Sequence, residues 1–364
     1  MPRHIIPHAV RLEFAGEQLV HANLSGAAFI GEELWVAGDE ACGLDRLSKL
    51  PPVGKEKLRF GQARHFPLAE VLDLPDAAEI EADIEGLDYH GGYLWLVGSH
   101  GLKRKAPKAD RSSTENLKRL ATVSHDGNRC LLARVAVQAT PEGHTLIKHS
   151  DTGLSSKRLR GDTLGNDLTK LLAKDRHYQA YLAIPGKDNG FDIEGIAVDD
   201  TRILLGLRGP VLRGYSGLLE VQIKEKGDEL RLGKIAESGK KLRKHFIRLA
   251  GLGVRDLHWH GDDLFILAGP TMVLDGAIRL FKWRNAAQAL AAVDPKVDEV
   301  LWESDGPTEE LSLPYGIGQD RAEVITCLPA SLSKTPQWLT LYDAPSPQRQ
   351  PAEQVVLGDL LARK

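Results

Sequence analysis

Cysteine is scarce in this sequence: Cys42, Cys130 and Cys327 stand far apart and form no C-x-x-C pair. That spacing argues against a disulfide framework and a cysteine-built zinc site, and it favours the reducing cytoplasm. No apolar run approaches the ~20 residues of a membrane-spanning helix. The opening residues Met1-Pro2-Arg3-His4 lack the apolar core of a secretion signal. Neither sign of charge dominates, since 47 Lys and Arg face 50 Asp and Glu, for a formal net charge of −3. Such a balance offers no general attraction to nucleic acid or to a membrane surface. Catalytic signatures are missing too: there is no G-x-S-x-G elbow, P-loop, G-x-G-x-x-G or H-E-x-x-H.

What the sequence does have is a repeat. D-I-E-G-L-D-Y-H-G-G-Y-L-W-L-V-G at 83–98 returns as D-I-E-G-I-A-V-D-D-T-R-I-L-L-G at 192–206, and fainter copies begin near Asn23, Gly253 and Leu313. Aligned on Gly26, Gly86, Gly195, Asp256 and Gly316, the copies are spaced by ~60 residues, apart from one long step between Gly86 and Gly195. Each copy reads as a strand, a polar turn and a second strand, followed by further β-rich runs. Four short strands per repeat is the pattern of a propeller blade. The expected fold class is all-β: one propeller over residues 1–364, with five blades. Six is the alternative, if the segment between Leu120 and Lys187 holds a degenerate blade. In the fifth copy, Glu323-Val324-Ile325-Thr326-Cys327 takes the place of the second strand. Val10–Phe14 or Gln354–Leu360 supplies the missing strand that closes the ring.

Two segments interrupt the pattern. The insertion near 103–129 begins with a basic stretch, 103–119, that reads as a long projecting loop, either solvated or a docking patch for an acidic partner. The insertion near 163–182 reads as a short helix, capped by Asn166 or Asp167, with Leu168, Leu171 and Leu172 at helical spacing.

In an antiparallel pair, the start of the first strand and the end of the second share an edge. Asp83 and Glu85 therefore approach Ser99 and His100, Asp192 and Glu194 approach Arg208 and Arg213, and Arg255 and Asp256 lie beside the Gly269-Pro270-Thr271 loop. With these first strands innermost, the candidate ligand-binding residues Asp83, Glu85, His100, Asp192, Glu194, Arg208, Arg213, Arg255 and Asp256 converge on one mouth. Asp83, Glu85, Asp192 and Glu194 would repel one another if unpaired. They call for arginine partners, backbone donors, or a divalent cation such as calcium. Two arginines on the Gly206–Gly214 loop have the fork geometry that grips carboxylate or phosphate, or they balance the acids. His100 is a candidate acid or base.

At D-I-E-G-I-A and G-L-R-G-P-V-L-R-G the chain resembles a bacterial family catalogued only as a domain of unknown function. Its D-I-E-G strands are also similar to those of esterase-like propellers named after phytase. The second resemblance implies a propeller and a hydrolase. The first and fourth copies, Leu24-Ser25-Gly26 and Val254-Arg255-Asp256, lack the paired acids. Two functions follow as expectations. One is a propeller that binds an anionic small molecule or ester at its mouth, with hydrolysis as an extension. The other is a non-catalytic platform that holds a partner protein.

Overall fold

The computed structural model describes residues 3–15, 20–200, 202–235 and 239–363. The chain is mostly β. Sheet one holds Leu24–Ile30, Glu33–Gly38, Gly43–Leu50 and Leu58–Pro67. Sheet two holds Ile84–His90, Tyr93–Gly98, Leu132–Thr140 and Gly143–Ile147. Sheet three holds Asp192–Asp199, Arg202–Gly209, Tyr215–Lys226 and Arg243–Arg248. Sheet four holds Gly253–His260, Asp263–Gly269, Ile278–Trp283 and Thr308–Leu313. Sheet five holds Arg321–Cys327, Trp338–Asp343 and Val355–Arg363, with Arg3–Glu13 as its outer strand. Both ends of the chain thus build sheet five. Arg3–Glu13 runs antiparallel to Val355–Arg363 and also pairs, in parallel, with Leu58–Pro67 of sheet one.

The first strands of the five sheets pack neighbour to neighbour in a closed cycle. Apolar side chains fill the space between each pair of adjacent sheets. Trp35 and Leu44 meet Ile84 and Leu96 between sheets one and two, and Val97 meets Ile193 and Leu205 between two and three. Leu204 meets Leu257 and Ile266, Phe265 meets Ile325 and Trp338, and Val36 meets Val324 and Leu341 to close the circle. Five clusters, one per gap, bury both faces of every sheet, which no single sheet does alone.

The glycine of D-I-E-G has a packing reason. A Cβ at Gly86 would lie 3.0 Å from the Ile196 nitrogen, and one at Gly195 would lie 3.1 Å from the Leu257 nitrogen. Adjacent first strands approach too closely there for a side chain.

Three sequence expectations need correction. Glu323–Cys327 belongs to the first strand of sheet five rather than the second, and Gly316 lies in the preceding loop. A shared glycine gave a false register there, since Val324 holds the place of Gly86. The further β-rich runs do not always stay with their own copy: Glu299–Leu301 follows the fourth copy in the chain, yet it pairs in parallel with Arg243–Arg248 and edges sheet three. The 103–119 stretch is not all loop. It contains helix α1, Ser113–Ala121, with a complete Ser112/Glu115 capping box. Helix α2, Asp167–Leu172, is capped by Asn166 and buries Leu168 and Leu172, as its spacing predicts. Between Leu120 and Lys187, the strands Leu132–Thr140 and Gly143–Ile147 complete sheet two. No helix is long and apolar enough to cross a membrane among the described residues.

Candidate functional site

The same irregularity recurs in all five first strands. Pairing skips one residue, a β-bulge, between Leu24 and Gly26, Ile84 and Gly86, Ile193 and Gly195, Val254 and Asp256, and Ala322 and Val324. The skipped residues are Ser25, Glu85, Glu194, Arg255 and Glu323. A bulge re-aims the side chain it carries, and here it does so at five equivalent points. The second strands end beside them in Asp39, Ser99, Arg208, Gly269 and Asp343. These ten positions make one floor at the ends of the paired strands, and six of them, Asp39, Glu85, Arg208, Arg255, Glu323 and Asp343, line cavities there.

Charge is distributed unevenly over that floor. Glu194 is 2% exposed, yet both its oxygens are taken: Oε1 by Arg208 Nη1 at 2.5 Å and Oε2 by Arg255 Nη1 at 2.6 Å. Arg255 reaches on with Nη2 to Glu323 Oε1 at 2.5 Å. Burial alone would raise the Glu194 pKa. The two guanidiniums outweigh it and hold the carboxylate ionised, below its ordinary range. Glu85, 5% exposed, accepts no hydrogen bond and forms no ion pair among the described residues. Burial first, then Asp83 and Glu194, push its pKa well above the usual range. Carboxylate oxygens of Asp39, Asp83 and Glu85 lie within 4.8 Å of one another. Asp83 is paired with Arg129, which also reaches Glu81 at 2.9 Å. Asp192 sits 3.7 Å from Arg208, and its Oδ1 is buried without a hydrogen-bond partner among the described residues. Its carboxylate fits only because residue 186 is glycine, where a Cβ would come within 2.5 Å of Oδ2. Burial pushes both Asp39 and Asp192 to about 7.

Two cavities open on this floor. One, of about 190 Å³, is lined by Asp39, Glu81, Asp83, Glu85, Arg129 and Asp192 among others. The second, of about 230 Å³, is lined by Arg208, Arg255, Arg321, Glu323 and Asp343, with an apolar wall of Met272, Val273, Leu274, Ile278 and Tyr315. Ala106 and Lys187 line both, so the cavities share a wall.

With this geometry in view, the whole repeat region finds its match. Residues 23–359 match the family described as "Protein of unknown function (DUF3616)". The chain belongs to that family. No curated protein matches it. Among solved structures it is similar to a GH43 β-1,3-galactosidase solved with galactodeoxynojirimycin (11% identity, 93% of this chain and 89% of that one, TM-score 0.38). It is similar also to native Bacillus subtilis arabinanase (11% identity, 93% and 92%, TM-score 0.36). Both neighbours are β-propellers. Likeness at this level carries no statement about chemistry.

The structure brings Asp83, Glu85, Asp192, Glu194, Arg208 and Arg255 together. Three other candidates lie apart. His100 points away from both cavities: its Nδ1 donates to the Gly98 carbonyl at 2.8 Å, and its Nε2 accepts from Asn166 Nδ2 at 2.8 Å. Burial lowers its pKa to about 4, leaving a neutral ring that ties the α2 cap to sheet two. Arg213 is exposed in the turn that follows sheet three's second strand, outside both cavities. Asp256 accepts from the Ile325 nitrogen at 2.8 Å and from the Leu257 nitrogen at 2.8 Å, so it fastens one first strand to the next.

Asp39, Arg129, Lys187, Glu323 and Arg321 are among the cavity residues that the sequence did not mark as ligands. Asp39 carried a signal, because it follows the closing glycine of its second strand as Ser99 does. Glu323 was hidden by the false register. Arg129 and Lys187 come from irregular segments, where no period points to them.

Proposed function

We propose that the chain forms one closed propeller of five blades, insertions included, and that its mouth binds a small anionic molecule or ester. The closed ring of first strands and the five inter-sheet cores support five blades over six. One observation carries the binding reading. Arg208 donates to Glu194 through Nη1, which is also its nearest atom to Asp192, and among the described residues its Nη2 makes no hydrogen bond at the wall of the 230 Å³ cavity. Lys187 and Arg321 stand on the same wall and are held only loosely, at 3.7 Å from Asp39 and 3.6 Å from Asp343. An oxyanion placed there meets a guanidinium fork and two loosely paired cations, while the apolar wall takes its carbon skeleton. Hydrolysis is a natural extension. Asp39 and Asp192 lie near 7, where a carboxylate serves as general base for a water.

Calorimetry with a panel of small phosphoesters and carboxylates tests this. Lys187→Ala removes an exposed cation without disturbing the core, and Arg208→Ala removes the fork. Each should weaken the best ligand about tenfold to a hundredfold. Wild-type affinity in both folded variants, or no ligand in the panel, would overturn the reading. An assay on chromogenic esters then decides turnover.

A second reading rests on a separate observation. Met272, Val273, Leu274, Tyr315 and Ile317 are exposed around the same opening, Ile317 by 90%. An apolar rim of this kind suits a protein partner, and the mouth would then be a docking socket.

A further inference from the structure

Among the described residues, two groups of side chains are compact enough to hold a metal ion, and they differ in what occupies the centre. Asp175, His177 and Glu299 form one. There the Lys244 ammonium already sits among them, 2.5 Å from Asp175, 2.8 Å from Glu299 and 3.0 Å from His177 Nδ1. Asp39, Asp83 and Glu85 form the other, and among the described residues no cation stands at its centre: of the three, Arg129 reaches only Asp83, Lys187 stays 3.7 Å from Asp39, and Glu85 forms neither an ion pair nor a hydrogen bond.

We infer that Asp39, Asp83 and Glu85 bind a divalent cation, calcium by its chemistry, in the acidic cavity of the mouth. Every donor is a carboxylate oxygen, the ligand set of a hard cation rather than of zinc. The oxygens lie within 4.8 Å of one another, a span that a calcium shell of ~2.4 Å radius bridges more readily than the tighter one of magnesium. An independent observation points into the same cavity. Asp192 is 3% exposed, lies outside the trio, lines the same space and holds its Oδ1 buried with no hydrogen bond. A buried carboxylate oxygen without a donor is costly unless something neutralises it. The cavity of about 190 Å³ gives the ion and its waters room. The expected set for a cation therefore changes. Asp83 and Glu85 stay, Asp39 enters, Asp192 closes the far side, and Glu194 leaves because two arginines hold it.

The site stands without the anion reading, so its test omits any anion. Protein freed of metal by chelation is titrated with calcium chloride and with magnesium chloride in a calorimeter, and melted with and without each. The expected result is one calcium per chain, a melting point raised by several degrees at ~10 mM calcium, and weaker binding of magnesium. Glu85→Gln and Asp39→Asn should each weaken calcium at least about tenfold. Asp39 lies at the edge of the cluster, so its variant keeps the test open if Glu85→Gln fails to fold. Asp175→Asn, in the lysine-filled cluster, should leave calcium binding unchanged. Absence of heat and of any melting shift in the folded wild type would overturn the inference. So would calcium binding that survives both mouth variants, or that is lost in Asp175→Asn.

Discussion

Residues 83–86 and 192–195 spell the same D-I-E-G, begin the same strand of adjacent sheets and carry the same bulge. Their glutamates nevertheless live in opposite electrostatic worlds. Glu194 is clamped between Arg208 and Arg255, while Glu85 has no hydrogen bond or ion pair among the described residues. The difference comes from one residue on each of two neighbours. Where sheet three ends its second strand with Arg208, sheet two has Ser99. The skipped residue on the sheet that follows Glu194 is Arg255, whereas on the sheet that follows Glu85 it is Glu194 itself. The motif sets where a carboxylate stands. Residues outside the motif decide whether it is a scaffold ion or an open donor.

The largest effect should come from breaking the clamp. Glu194→Gln leaves Arg208 and Arg255 buried with weaker partners, and losing one member of a buried pair costs about 3–5 kcal/mol. Urea denaturation measures it. A loss below ~1 kcal/mol would mean that the clamp behaves like a surface pair. The next effect separates the two strand ends, where sheet two has His100 and sheet three has Gly209. His100 is neutral in the fold, with its pKa lowered to about 4 by burial, while in the unfolded chain it titrates near 6.5. The unfolded state therefore binds the extra proton between those values. Stability from this residue is complete above about pH 6.5 and falls as the pH drops toward 4, by up to about 3 kcal/mol. In His100→Asn that part of the pH dependence should vanish. Equal slopes of stability against pH in both proteins would show the ring to be solvated.

How much of this was legible beforehand follows from the physics of each signal. The period of the D-I-E-G hairpins exposed the stacked sheets, because alternation and turn glycines are local properties. Convergence of Asp83, Glu85, Asp192, Glu194 and Arg208 followed from antiparallel pairing alone. The outer strands Arg243–Arg248 and Thr308–Leu313 escaped, because their charged and polar residues leave a weak apolar pattern. His100 was misplaced because a left-handed backbone, φ 57°, turns it away from its strand's edge. The bulges were invisible, since no residue type announces a skipped pair. Without them, residues two apart on a strand face the same way, which puts Asp83 and Glu85 in one environment, although among the described residues only Asp83 finds an arginine.

The two insertions repeat the contrast at smaller scale. Helix α2 buries Leu168 and Leu172 and is held through Asn166. Helix α1 buries nothing, with Leu117 67% and Leu120 43% exposed. Joining Ala106 to Thr122 through a short glycine linker removes only surface contacts, chiefly the Arg104 and Arg119 bonds to backbone carbonyls. The expected loss is at most about 1 kcal/mol. A melting point lower by many degrees would show that α1 packs on the mouth. A partner surface on α1 would appear instead as lost binding with stability intact.

The smallest effect is the most telling for the comparison. Glu85→Gln is chemically the same change as Glu194→Gln, made in the other copy of the motif. Glu85 holds its proton far above the ordinary carboxylate range because it is buried beside Asp83 and Glu194. Glutamine has the shape of a protonated glutamic acid and removes only the charge that the site resists forming. In chelator and near neutral pH, the substitution should therefore change stability by less than ~1 kcal/mol, toward greater stability if anything. With calcium present the sign should reverse, since the wild type gains a ligand that the variant lacks. Equal losses for Glu85→Gln and Glu194→Gln in chelator would mean that both glutamates are scaffold, and the difference between the two copies would have no energetic content.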